Sequence, residues 1–156
     1  MRKRSANRRY RATDKTSTDA ILQDLARFRY ELRKFLRFSE RAAKSQGLTP
    51  QQHQLLLGTI GFNGTRRATI SELAEFLQER HNSVVELADR AVRKGLVRKN
   101  HDAGDRRYVY VSLTPRGEKI LSKLTRLHRA EVERLRAGLL NGAKRERMED
   151  MRHSKS

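Results

Sequence analysis

Apolar positions recur along this chain with two different periods, and the switches between them mark out its elements. From residue 20 to 45, Ile21, Leu25, Phe28, Leu32, Phe35 and Ser39 follow at alternating spacings of four and three, and Leu22, Leu36 and Ala43 widen the stripe. This predicts an amphipathic helix of about seven turns, ended by Gly47. Thr49-Pro50-Gln51-Gln52 then supplies an N-cap, a proline at the first helical position and a glutamine at the third, the components of a capping box. The helix it opens carries Leu55, Leu56, Leu57 and Ile60 and stops around Gly61 to Gly64. Two shorter helices follow in close succession. Thr69 or Ser71 caps the first, placing Leu73, Ala74 and Leu77 on one face. The second is expected to start at Asn82 or Ser83 and to run to Lys94 before Gly95. Its Val84, Leu87, Ala88 and Ala91 share an inner face, leaving Val85, Glu86, Asp89 and Arg90 outward.

A period of two then takes over. Leu96 to Lys99 reads as a short strand, Asp102-Ala103-Gly104-Asp105 is turn chemistry, and Arg107 to Leu113 alternates Val109, Val111 and Leu113 against Tyr108, Tyr110 and Ser112. Thr114-Pro115 caps a last helix over about 115–140, with Leu121, Leu124, His128, Val132, Leu135 and Leu139 on one stripe. A capped short helix, a tight turn, a second helix with small inner residues and then a hairpin with arginines at its tip make a winged helix-turn-helix. The expected fold class is mainly α with a small β-hairpin wing (α+β). The stripes of the first and last helices are too long for a small winged-helix core to cover, which implies a partner, most simply a second copy of the chain.

Charge changes this picture more than composition does. The 156 residues suit one domain, and 36 Lys and Arg against 18 Asp and Glu leave a net charge of +18. The partner is therefore polyanionic, either nucleic acid or an anionic membrane surface. Residues 1–18 hold seven cations and one anion with little apolar content, and read as a disordered basic arm. A solvated tail without a partner and an organellar transit peptide are the alternatives. Residues 144–156 read as a frayed basic tail, and the domain between, 19–143, still carries +10. Cys is absent, which excludes a disulfide scaffold, a zinc finger and a thiol nucleophile. No apolar run approaches the ~20 residues of a membrane span, so the chain is expected to be soluble and intracellular.

Catalysis finds no footing: there is no nucleophile elbow, kinase or Walker loop, and no carboxylate pair in a convincing setting. Gly58, Gly61 and Gly64 form GxxGxxG without GK[ST] or a preceding strand, which reads as a helix end and turn. Arg66 and Arg67 just beyond either touch a phosphate or are solvated. His128 and Glu131, three apart, and the adjacent His101 and Asp102 each offer two metal ligands without a third, so no metal and no cofactor is expected. His53 either lines a ligand cavity with Phe35 or Phe38 or packs in the core.

The segment DRRYVYVSLTPRG resembles the wing motif of the multiple-antibiotic-resistance regulator (MarR) family of bacterial winged-helix transcription factors, which reads D-x-R, five residues, L-T, two residues, G. Asp105, Arg107, Leu113, Thr114 and Gly117 are in register with it. ISELAEFL and LADRAVRKGLVRK are similar to the family's helix-turn-helix and the glycine-led strand after it. The basic arm and the long GFNGTRR loop depart from the family's pattern. The resemblance implies a homodimer formed through helices 20–45 and 115–140, a DNA-binding part over about 49–113, a recognition helix (82–94) in the major groove and a wing (97–113) in a neighbouring minor groove. It further implies a small, often aromatic, effector, here assigned to Phe35, Phe38 and His53.

Placed in a major groove, Asn82 can bridge adenine, Glu86 can accept from a cytosine amine and Val85 can meet a thymine methyl. Ser83 lies beside them. Arg90 reads guanine, or else pairs with Glu86, Asp89 or the DNA backbone. His81, Arg98 and Lys99 are phosphate contacts in this reading. Arg107, with Arg106 beside it, enters the minor groove, and Asp105 accepts hydrogen bonds from either arginine and stiffens the tip. The expected function is a transcription regulator, a repressor, that binds a pseudo-palindromic operator on double-stranded DNA and has no membrane partner. The alternatives are a sequence-tolerant architectural nucleic-acid-binding protein driven by charge, and a ligand- or metal-responsive protein whose DNA affinity is incidental.

Overall fold

The computed structural model describes the backbone of residues 3–62, 64–101 and 108–153, with side chains over 18–62, 64–101 and 108–139. Five helices, α1 (Lys3–Ser45), α2 (Pro50–Gly61), α3 (Ile70–Leu77), α4 (His81–Arg93) and α5 (Pro115–His153), accompany three strands, β1 (Arg67–Thr69), β2 (Val97–His101) and β3 (Val109–Leu113). This is the mainly helical winged-helix class expected from the periodicities. The expected arm and tail differ from what is seen. Helix α1 begins at Lys3 and α5 continues to His153. Residues 3–45 contain neither Gly nor Pro and are rich in Arg, Lys, Ala and Leu, so nothing in the local sequence stops a helix once one has formed.

The chain divides into two compact units. One comprises Met1–Arg37 with Ala130–Ser156, the other Phe38–Arg129. In the first, Leu32 and Phe35 of α1 and Val132, Leu135 and Leu139 of α5 are half-buried. The start of the α1 stripe is not: Ile21 is 65% exposed and Leu25 51%. A cleft of about 300 Å³ in this unit is lined by Phe35, Leu135, Gly138 and the partly buried Glu31 and Glu131. Lys34 pairs with Glu31 and Arg134 with Glu131, each at 3.3 Å.

The second unit holds the core. Leu55 and Leu56 of α2, Leu73 of α3, Val84 of α4, Val97 of β2, Val111 of β3 and Leu124 of α5 are fully buried together. At roughly 1.5–3 kcal/mol for each such side chain, this cluster is the main force holding the elements together. The sheet runs β1-β3-β2, all antiparallel, with Ala68 opposite Val111 and Val97 opposite Leu113. The hairpin was legible in the alternation, with strands at Val97–His101 and Val109–Leu113 rather than 96–99 and 107–113. The strand β1 was not. Three residues are too short to show a period, and Arg67–Thr69 become a strand only because β3 offers a free edge.

The caps follow the sequence at two helices and depart from it at the third. Thr49 and Thr69 each close a full capping box, with Gln52 and Glu72 reaching back to the cap backbone. Helix α4 instead has Arg80 at its N-cap without any side-chain cap, in place of Asn82 or Ser83. Gln78 takes the left-handed conformation that ends α3 (φ 54°), and Val84 N–H already reaches Arg80 O at 3.1 Å. A cap preference of ~1 kcal/mol yields to that early start, which brings Val84 into the core. Gly95 closes α4 at φ 66°, a backbone setting that favours glycine.

Candidate nucleic-acid interface

Helix α4 presents two faces of opposite character. Val84, Leu87, Ala88 and Ala91 are buried, whereas His81, Asn82, Ser83, Glu86 and Arg90 are exposed and Val85 is half-buried at the margin. The small inner residues let α4 sit close against the core, so its outer face stands proud on a rigid support. Arg90 faces Glu86 across one turn at 3.7 Å, a loose pair between exposed groups. Its guanidinium is therefore held lightly and stays available. A shallow cleft of about 120 Å³ brings Gln51 and Gln54 of α2 beside Ser83, Glu86 and Arg90. Those two amides were not singled out in the sequence, because nothing local says that α2 lies against the outer margin of α4.

The strand β2 is fastened to this helix. Lys99 Nζ donates to Asp89 Oδ1 at 2.6 Å, with both groups partly shielded. Lys99 is thus engaged by a carboxylate in a partly exposed pair, and Asp89 of α4 ties β2 to that helix. Arg98 is exposed, and its Nε–H donates to the Ser112 hydroxyl on β3 at 3.1 Å. Asn100 donates to the same oxygen at 3.2 Å. Asp105, Arg106 and Arg107 lie outside the described residues. Arg66 and Arg67 are both engaged, Arg66 with Glu118 at 2.7 Å and Arg67 over the Tyr110 ring at 4.2 Å from its centroid.

The wing is also braced from behind. Thr114 Oγ1 donates to Gly95 O at 2.7 Å and accepts from Gly117 N–H at 3.1 Å, while Thr114 N–H reaches Leu96 O. A Cβ on Gly117 would collide with the Leu96 carbonyl. The Leu-Thr and Gly of the wing motif therefore have a physical role: they join the end of α4, the start of β2 and the start of α5 at one point.

The candidate effector residues are split. Phe38 and His53 come together with His128, whose ring is 5.3 Å from Phe38 and 5.0 Å from His53 between centroids. Phe35 instead lines the cleft of the other unit. His128 donates through Nδ1 to Leu124 O at 2.7 Å. Burial pushes His53 down from 6.5 to about 4, with the charge of His128 as the second cause. Its ring is therefore neutral at physiological pH and packs as part of an aromatic cluster. Among the described residues no group of three His, Cys, Asp or Glu can hold a metal ion, and no helix is long and apolar enough to cross a membrane.

Residues 46–107 match the model of the MarR family. The HTH-type transcriptional repressor MdtR of Bacillus subtilis is 33% identical over 75 residues, a match covering 48% of this chain and 46% of MdtR. The chain thus spans about half the length of this curated relative. A solved MarR family transcription regulator superposes with a TM-score of 0.69 at 23% identity, covering 90% of this chain and 94% of its own. A mutant of Escherichia coli MarR in complex with operator DNA superposes with a TM-score of 0.57 at 23% identity, covering 69% and 75% of the two chains.

Proposed function

From the premise that residues 46–107 are a MarR-family winged helix-turn-helix, we propose that this chain is a homodimeric, DNA-binding transcription regulator acting as a repressor. The observation that carries the reading is α4 itself, with Asn82, Ser83, Glu86 and Arg90 exposed over a buried small-residue face and the wing tied to it through Asp89 and Lys99. Asn82 and Arg90 are suited to the edges of adenine and guanine in a major groove, and Arg107 to a minor groove. The exposed apolar run from Ile21 to Phe28 supports a second copy as the dimer partner. Two-fold symmetry then calls for a pseudo-palindromic operator with half-sites about one helical turn, ~10 bp, apart. Such a regulator works in the bacterial cytoplasm, at the nucleoid. A small aromatic effector meeting the Phe38–His53–His128 cluster would release it, and no cofactor is required.

The test is footprinting on DNA flanking the protein's own gene, followed by competition with bulk genomic DNA at physiological salt. A regulator should favour the protected site by at least ~10³-fold. With ~8 phosphates neutralised per dimer, the slope of log K against log salt should lie near −7. Arg107→Ala should cost about 1–3 kcal/mol of operator affinity. Equal competition by genomic DNA would instead mark a charge-driven architectural binder.

A further inference from the structure

Resting on that reading, we propose that the cleft between the starts of α3 and α4 and the base of the wing seats one phosphate of the DNA backbone. Ser71, His81 and Tyr108 supply the donors. A major groove and the minor groove beside it are separated by a single sugar–phosphate strand. A protein that places α4 in one and the wing in the other must straddle that strand, and whatever lies between the two elements faces it. In this chain that place is a cleft of about 350 Å³. Ile70 is buried and Thr69, Val85, Lys99 and Val109 are half-buried, while Ser71, His81 and Tyr108 are the exposed ones. Among the described residues none that lines it is acidic.

Lys99 also lines the cleft, but Asp89 holds its ammonium at 2.6 Å. The pair is neutral as a whole, so the seat draws on two hydroxyls and an imidazole N–H rather than on a free cation. Contacts of this kind set the register of the protein on the duplex and carry no sequence information. Ser71 and Tyr108 escape sequence inspection because neither lies on the recognition helix. They line one cleft only because β3 and the residue before it pack beside the start of α3.

The proposal is tested in the full-length protein with Tyr108→Phe and Ser71→Ala, by measuring affinity for the footprinted site and for a random duplex of equal length. Each variant should bind both DNAs about 3- to 10-fold more weakly, with the ratio between them unchanged. The salt slope should also stay unchanged, since no charge is removed. Ethylation interference should find a phosphate in each half-site whose modification weakens the parent but not Tyr108→Phe. Unchanged affinity in both variants, or a loss confined to the footprinted site, would overturn the seat. Asn82→Ala reports on the underlying reading instead: it should collapse the ratio between the two DNAs. A parent protein with no preference would sink that reading, while uniform losses in Tyr108→Phe would still support the seat.

Discussion

Lowering the pH from 7.5 to 5 should destabilise this protein through His53 in particular. The side chain is 5% exposed on α2 and stacks 5.0 Å from His128, and its pKa falls from 6.5 to about 4. The folded state therefore binds the proton more weakly than the unfolded state. In such a case the stabilisation is complete above pH 6.5 and is lost as pH falls from there toward 4. A full shift of this size corresponds to about 3 kcal/mol, of which about 2 kcal/mol is lost by pH 5. The assay is urea unfolding at the two pH values, at one fixed protein concentration so that any self-association contributes equally. Between pH 7.5 and 5, the parent should lose about 2 kcal/mol more than His53→Gln, which lacks only this group. In a His128→Gln background that excess should shrink without vanishing, because burial is the larger cause and the neighbouring imidazole the smaller. Equal pH dependence in the parent and His53→Gln would refute the reasoning.

Two further outcomes follow from the bracing of the wing. Gly117→Ala should lower stability by about 1–3 kcal/mol, seen as a reduced urea midpoint, because its Cβ meets the Leu96 carbonyl oxygen, a backbone atom that cannot turn aside. Helix propensity alone would make the same change stabilising by ~1 kcal/mol, so the sign of the effect decides. Asp89→Asn should change stability by less than about 1 kcal/mol yet weaken operator binding several-fold, and Lys99→Met should do the same, with the double variant no worse than either. If Lys99→Met alone lowered the salt slope by ~1 while Asp89→Asn did nothing, Lys99 would be a phosphate contact and not a tether.

Local chemistry was the most legible part of the sequence. The capping box at Thr49, the inner face of α4 and the alternation of β3 each depend on residues a few positions apart and are present as read, while Thr69, one of two cap candidates, closes a box with Glu72. What the sequence concealed depends on residues far apart in the chain. The Asp89–Lys99 and Arg66–Glu118 pairs join residues whose charges look equally solvated until the fold brings them together. Phe35 and Phe38 show the same limit within a single helix. Three positions apart, they seem to belong together, yet Phe38 joins His53 and His128 while Phe35 lines a different cleft. The exposed face of α4 was legible because it is a helix face; the nearness of Gln51, Ser71 and Tyr108 to it was not, because they reach it from other elements.

Thr114 gives the wing motif a mechanical consequence. Through one hydroxyl and one amide it bonds to the last turn-closing glycine of α4, to the first residue before β2 and to the opening turn of α5. No slack loop separates these three points. The root of α5, the end of α4 and the start of β2 are therefore held to one another directly, so a displacement of one is passed to the other two.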